Sequence, residues 1–427
     1  MADNIDVTTP SKRQYFIPFR KNDIVRMCVH DGQLAGQEQH FRHLHRLLER
    51  IFHLEFHRSI EALKHAYAPM DPDCDTRLFE MGDASDQGEF VDLLKSLLDK
   101  ANYQAVTQQD LQHAMTESSL FKIRLNVDFA DFSEVLLFCR GESVQSETVY
   151  LFAGRFPREI EFVNYERVMV FIRFREDYER DGDSPSHLRP GASMLKLFRN
   201  VPRADMEMLF PNTQIKMRLL DKLLIGIPAL VSGGIIVTTK LATSLLLAGS
   251  LIGFWLGISS APVELNKTAL MVLLAGLGVL GAYVWKQFNV FKNRKLLFMQ
   301  TLTQNLYFKN LDNNAGVFFR LANDAEEEEC KEALLAYYFL LVAAQPMGKD
   351  TLDKTIEDWF ENRWQCRLDF DIGDALNKLL VLGLINESQR MFSAIPLSDS
   401  IETLSKHGDD YFQSESRESA SISAIGR

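Results

Sequence analysis

The stretch from about 223 to 285 constrains this chain more than any other. Three runs without a charged residue lie almost end to end there: Leu223–Thr239, Leu241–Ile258 and Thr268–Trp285. A helix rises about 1.5 Å per residue and the hydrocarbon core of a bilayer is about 30 Å thick, so the second and third runs nearly span it. Helices on the surface of a soluble domain carry a polar stripe, which these lack. The reading is a transmembrane helical hairpin over 241–285 rather than a buried soluble one.

Flanking charge sets the topology. Lys216, Arg218 and Lys222 precede the first run, and Lys286, Lys292, Arg294 and Lys295 follow the last. Basic flanks favour the cytoplasmic side, so two spans keep both flanks inside, whereas three spans carry one across. Residues 216–240, with Pro228 and the Gly233–Gly234 pair, then form an apolar lead-in beside the membrane. A third span over Leu223–Thr239 remains the alternative. Gly249, Gly253 and Gly257 put a flat strip on one span, and Gly278 and Ala282 put one on the other. Such strips pack helices in lipid, within one chain or between copies of a homo-oligomer. Neither span holds an Asp, Glu, Arg or His, so the hairpin reads as an anchor, with an oligomeric channel or transporter subunit as a rival reading.

Net charge is −11, which argues against a nucleic-acid binder. Cys28, Cys74, Cys139, Cys330 and Cys366 are scattered and form no CxxC, so they read as reduced thiols rather than a disulfide or zinc framework. The N-terminus has early acids and no apolar core, unlike a secretory signal or a transit peptide. The resulting expectation is a multi-pass protein of a bacterial inner membrane, with both ends cytoplasmic and the lipid bilayer as one partner.

After an N-terminal arm over 1–30, residues 31–120 read as a helical subregion. Phe41, Leu44, Leu48, Ile51 and Phe52 recur at helical spacing, and further helices fit Glu89–Lys100 and Gln108–Glu117. The first helix is rich in histidine, and His53 and His57 share a face. They are a weak metal pair with no motif around them, and solvated or partly buried histidines are the simpler account. Residues 121–215 read as a mostly antiparallel α+β domain. Phe121–Phe129 alternates strictly, and Val135–Cys139, Thr148–Phe152, Glu159–Val163, Arg167–Phe174 and Met194–Phe198 are further strands. No Walker loop, dinucleotide fingerprint or nucleophile elbow occurs, so no catalytic residue and no cofactor is named.

Three blocks carry a family likeness: Arg13-Gln-Tyr-Phe-Ile-Pro-Phe19, Leu195-Lys-Leu-Phe-Arg-Asn-Val-Pro202 and Asp205-Met-Glu-Met-Leu-Phe-Pro211. In this order the chain resembles the uncharacterised family called domain of unknown function 3754, and within it the proteins similar to transmembrane protein 143. The resemblance implies a two-span membrane protein and brings no activity, cofactor or catalytic residue. It marks Lys196, Phe198, Arg199, Pro202 and Glu207 as a motif surface that binds a partner or a headgroup. Alternatively, Leu195, Leu197, Val201 and Leu209 pack that region onto the hairpin, with the charges solvated.

A basic helix and linker fill 286–325. In 326–405, Glu326–Glu329 reads as a solvated helix start, followed by helices over Lys331–Ala343, Thr351–Trp364 and Asp371–Leu382. Leu384–Ile385 and Met391–Ile395 form a small β-wing, so the region is winged-helix-like. Its third helix offers Asp371, Asp374 and Asn377 against one cation, Lys378, which suits a protein partner rather than DNA. Residues 406–427 read as a disordered tail. The summed expectation is a non-enzymatic, membrane-tethered scaffold or regulator, with a membrane-bound metal protein or enzyme as its rival.

Overall fold

A computed structural model describes residues 14–73, 86–107, 124–151, 156–178, 190–212, 214–216, 249–250, 252, 254–256, 267–343 and 345–408. The chain divides into two compact units. One comprises 1–118, 129–206 and 309–427, and the other 119–128 and 207–308.

In the first unit, α1 (Lys21–His30), α2 (Glu38–Tyr67) and α3 (Asp86–Lys100) come first. Phe41, Leu44, Leu48, Phe52, Phe56, Ile60 and Leu63 recur every third or fourth position of α2, and all are buried. That spacing holds the apolar stripe on one face through about six turns. Five strands then make an antiparallel sheet in the order β1 (Gln104–Ala105), β3 (Phe132–Leu151), β4 (Phe156–Phe174), β5 (Ser193–Pro202) and β7 (Asn310–Asn313). The four short strands expected within 135–174 are two long ones, paired from Phe132↔Phe174 to Leu151↔Phe156. Gly141, at φ +74, lies within β3 and takes the bend without ending the strand.

Leu195 and Leu197 of β5 lie opposite Phe171 and Met169 of β4, and these four join the helical core. The expectation that Leu195 and Leu197 pack onto a membrane hairpin is thereby corrected, because alternation aims both at the soluble helices. At the sheet's edge Asn314 takes a positive φ of 46° with ψ −128°, a conformation that L side chains rarely adopt. Its Oδ1 accepts from the Leu195 N–H at 3.2 Å and from the Tyr67 hydroxyl at 3.0 Å. One side chain thus ties β5, α2 and the next helix together.

That helix, whose number follows α4 of the second unit, is α5 (Ala315–Val342), the hub of the first unit. It packs against α1, α2, α3, α6 (Lys349–Trp364) and α7 (Ile372–Val381). With β8 (Met347–Gly348), β9 (Ile385–Ser388) and β10 (Met391–Ala394) in the order β8-β10-β9, the elements α5–β8–α6–α7–β9–β10 follow a winged-helix order. Asp371 caps α7 by accepting from the Asp374 N–H at 3.1 Å, and Gly383 closes it at φ +66. A final helix, α8, covers 397–408.

In the second unit, β2 (Arg124–Asn126) pairs antiparallel with β6 (Gln214–Lys216). Of the strand expected over Phe121–Phe129, 121–123 lie outside the described residues, 124–126 form this strand, and Phe129–Asp131 turns into a 3-10 helix, as does Arg203–Leu209. The helix α4 runs unbroken from Lys267 to Lys309, past Trp285 and through the basic residues expected to flank a membrane.

No helix among the described residues is long and apolar enough to cross a membrane. This overturns the transmembrane hairpin, the multi-pass inner-membrane placement and the membrane-tethered function expected from the sequence. The expectation equated charge-free runs with spanning helices, and the described helices supply none. Of the first expected span, only 249–250, 252 and 254–256 are described, and Leu223–Thr239, Gly253 and Gly257 lie outside the described residues. Gly249, Gly278 and Ala282 are exposed, and among the described residues nothing lies within 4 Å of a Cβ built on either glycine.

Candidate functional site

The chemistry-bearing side chains of the first unit gather at α5 and the face of α2. Glu326–Glu329 is neither a helix start nor uniformly solvated. It lies in the middle of α5, where Asp324, Glu328, Glu329, Lys331 and Glu332 are all buried. Burying a charge is costly unless it is paired, so each should meet a partner. Asp324 takes Arg167 Nη1 at 2.6 Å and the Tyr103 hydroxyl at 3.1 Å. Glu328 accepts from the Ile17 N–H at 3.0 Å and pairs with Lys331 at 2.9 Å, while Lys331 also donates to the Ile17 carbonyl at 2.7 Å. Glu329 pairs with Lys378 of α7. Arg140 of β3 approaches Asp324 and Glu328 at 3.7 and 3.8 Å, between the rings of Phe16 and Tyr103.

Glu332 has only a neutral donor, Asn102 Nδ2 at 2.8 Å. Burial, reinforced by the neighbouring charge of Glu328, pushes its carboxyl well above the usual range. This assembly joins the N-terminal segment, the sheet, α5 and α7. The void beside Arg140 holds about 20 Å³, room for a water molecule.

Cys330 lies 3.8 Å from His45 Nδ1 in the same core. A nucleophilic pair needs a depressed thiol and an imidazole that gains a proton. Here burial pushes the thiol up to about 12 and holds His45 below its ordinary value. The two form a neutral, packed pair.

The accessible feature is a groove of about 900 Å³ between α2 and α8. Its floor is the apolar strip Leu47, Ile51 and Leu54, with Leu404 across from it. Arg46 and Arg50 flank the strip, and His43 and His53 lie one turn away at either end. Arg46 Nε reaches only a carbonyl of its own helix, at 3.4 Å, and Arg50 has no ion pair among the described residues. Glu49 and Glu326, the groove's two acids, are engaged. Lys21 holds Glu49 at 2.7 Å and Glu326 at 2.9 Å, and His53 Nδ1 lies 3.0 Å from the other Glu326 oxygen. Burial alone would lower the Lys21 ammonium, but its bonds to Glu49 and Glu326 outweigh that and raise it, so the ammonium stays charged. The groove therefore offers apolar contact bordered by available cations.

The other residues singled out from sequence are dispersed. His53 turns to Glu326, and among the described residues no group of three or more His, Cys, Asp or Glu is arranged to hold a metal. Lys196, Phe198 and Pro202 lie along β5, with Phe198 and Pro202 buried, and burial lowers the Lys196 ammonium. Arg199 points outward from the same strand, and Glu207 falls in the 3-10 turn of the other unit. Sequence reasoning missed Arg46 and Arg50; the available signal was their four-residue spacing beside Leu47, Ile51 and Leu54.

Residues 165–316 match the family described as "Protein of unknown function (DUF3754)". The match runs from the middle of β4 to the first turn of α5. It does not extend to a link with transmembrane protein 143. No solved structure matches the chain.

Proposed function

We propose, from the premise that this chain belongs to that family of unknown function through residues 165–316, that it is a protein-binding module. Its groove along α2 receives an acidic, apolar-bearing segment of a partner protein. The observation that carries this reading is the pairing of an apolar strip, Leu47, Ile51 and Leu54, with Arg46 and Arg50 beside it. An amphipathic segment laid into such a groove gains affinity from its apolar anchors and register from its charges.

The winged-helix part supports the protein-binding reading over a nucleic-acid one. In the third-helix position, α7 turns its cation Lys378 inward to Glu329 and Asp374. The adjoining cleft of about 370 Å³ is lined by Asp99, Asp369 and Asp371, which repel phosphate.

The test is a photo-crosslinking amino acid placed at Ile51 in the full chain, in cells that express it. One defined partner should be captured, its crosslinked peptide should carry Asp or Glu beside an aromatic or aliphatic residue, and Arg46→Glu with Arg50→Glu should abolish the adduct. Capture that survives the double charge reversal, or adducts spread over unrelated proteins, would overturn the reading.

A further inference from the structure

Glu329 differs from the acids beside it on α5. Glu328 is held by a backbone N–H and by Lys331, and Asp324 by Arg167 and Tyr103. The Glu329 side chain is 1% exposed, and Lys378 of α7 is the one group on its carboxylate among the described residues. Neither oxygen accepts a hydrogen bond from any other donor there. The second acid in contact with Lys378 is Asp374, one turn back on α7 and open to solvent on one side.

An ion pair this bare is poorly compensated, because two charges leave water and regain a single contact. Burial, then the nearby charge of Lys100, lowers the Lys378 ammonium to about 7, and burial beside Asp371 raises the Asp374 carboxyl. Passing the ammonium proton to Glu329 removes both buried charges. It leaves an unprotonated amine against a neutral carboxylic acid, which are the two reactants of an amide.

We propose that Lys378 and Glu329 condense into an amide between their side chains, a covalent cross-link of α7 to α5. The lone pair of Lys378 Nζ attacks Glu329 Cδ, forming the C–N bond and a tetrahedral centre. Asp374 takes the proton that Nζ sheds and hands it to the departing Glu329 hydroxyl. The C–O bond breaks, and one water leaves past Asp374. Nothing is oxidised or reduced, and no co-reactant is consumed. Contact inside the core supplies the effective concentration that a free amine and acid lack, and a dry site keeps water from reversing the step. The product buries a neutral amide in place of two charges. It also closes the loop from 329 to 378, which restrains the unfolded chain.

The test is the mass of the denatured full chain and of its tryptic peptides. Wild type should be one water lighter than its sequence. Trypsin should release 321–331 joined to 368–390, uncut after Lys378, with fragment ions that place the bond between Glu329 and Lys378. Lys378→Arg keeps a cation for Glu329 but should carry its full sequence mass. Asp374→Asn should emerge as a mixture whose lighter species grows on incubation. Wild type at its full sequence mass overturns the proposal. So does a water loss that maps to another residue, such as a cyclised aspartate, or one that survives in Lys378→Arg. Complete water loss in freshly made Asp374→Asn overturns the proton relay.

Discussion

The buried acids of α5 and the cations on the outer face of α2 are both charged stretches of long helices, yet they do opposite work. On α5 the charges are spent internally. Asp324 holds Arg167, Glu328 holds the Ile17 N–H and Glu329 holds Lys378, so each carboxylate fixes a distant segment against the hub. On α2, Arg46 and Arg50 flank an apolar strip and face the open groove. The contrast teaches that charge density alone assigns neither role. A paired, buried charge is a structural commitment, and a charge bordering exposed apolar surface is available to a ligand.

The strongest way to break the comparison is Lys331→Met. It leaves Glu328 buried with only the Ile17 N–H and the more distant Arg140, and it removes the bond to the Ile17 carbonyl. Removing one member of a buried pair costs about 3–5 kcal/mol. Thermal and urea unfolding should show a loss of that order, partly recovered by adding Glu328→Gln. A loss under about 1 kcal/mol would match an exposed pair and erase the distinction.

Glu332→Gln should act in the other direction. The folded-state carboxyl is raised above its ordinary 4.5, so the native state binds a proton that the unfolded state has already released. Stability therefore falls as pH rises from about 4.5 through the folded value and stays lower above it. Glutamine removes that slope while its carbonyl still accepts from Asn102. The variant should gain on wild type as pH rises, read as the difference between their melting temperatures across the series. An unchanged difference would mean that Glu332 sits in a wetter place than the rest of the α5 assembly.

Legibility followed how local each signal was. Helix α2 was readable because its apolar residues keep one period, α6 from the apolar face of Leu352, Ile356, Trp359 and Phe360, and α7 from the glycine, Gly383, that ends it. The wing's strands were visible, but its turn was placed over five residues. The observed turn is the pair Gln389–Arg390, both at positive φ, without the Asn or Gly that usually marks such a hairpin. The acidic run of α5 was misread because its partners, Arg140, Arg167, Lys21 and Lys378, are far off in sequence. Nothing within a short window says that a glutamate will meet them. The apolar run at 268–285 was misread for the converse reason. Lack of charge was taken for lipid contact, whereas α4 is one helix that continues through Lys286, Lys292, Arg294 and Lys295. The groove was half legible: the histidine-rich helix that lines it stood out, while nothing within a short window set Arg46 and Arg50 apart.

The smallest expected effect sharpens the comparison most. Arg50→Ala removes a charge that has no ion pair among the described residues, so folding stability should move by less than about 0.5 kcal/mol. Binding is another matter. A cation at the rim of an apolar strip steers and registers an acidic segment, and its contribution is screened by salt. With the photo-crosslinking group at Ile51, Arg50→Ala should lower capture of the partner severalfold at low salt and progressively less as salt is raised. A stability loss comparable to that of Lys331→Met would show Arg50 committed to the fold, and the division of labour between α2 and α5 would fail at the residue where it is most exposed to test.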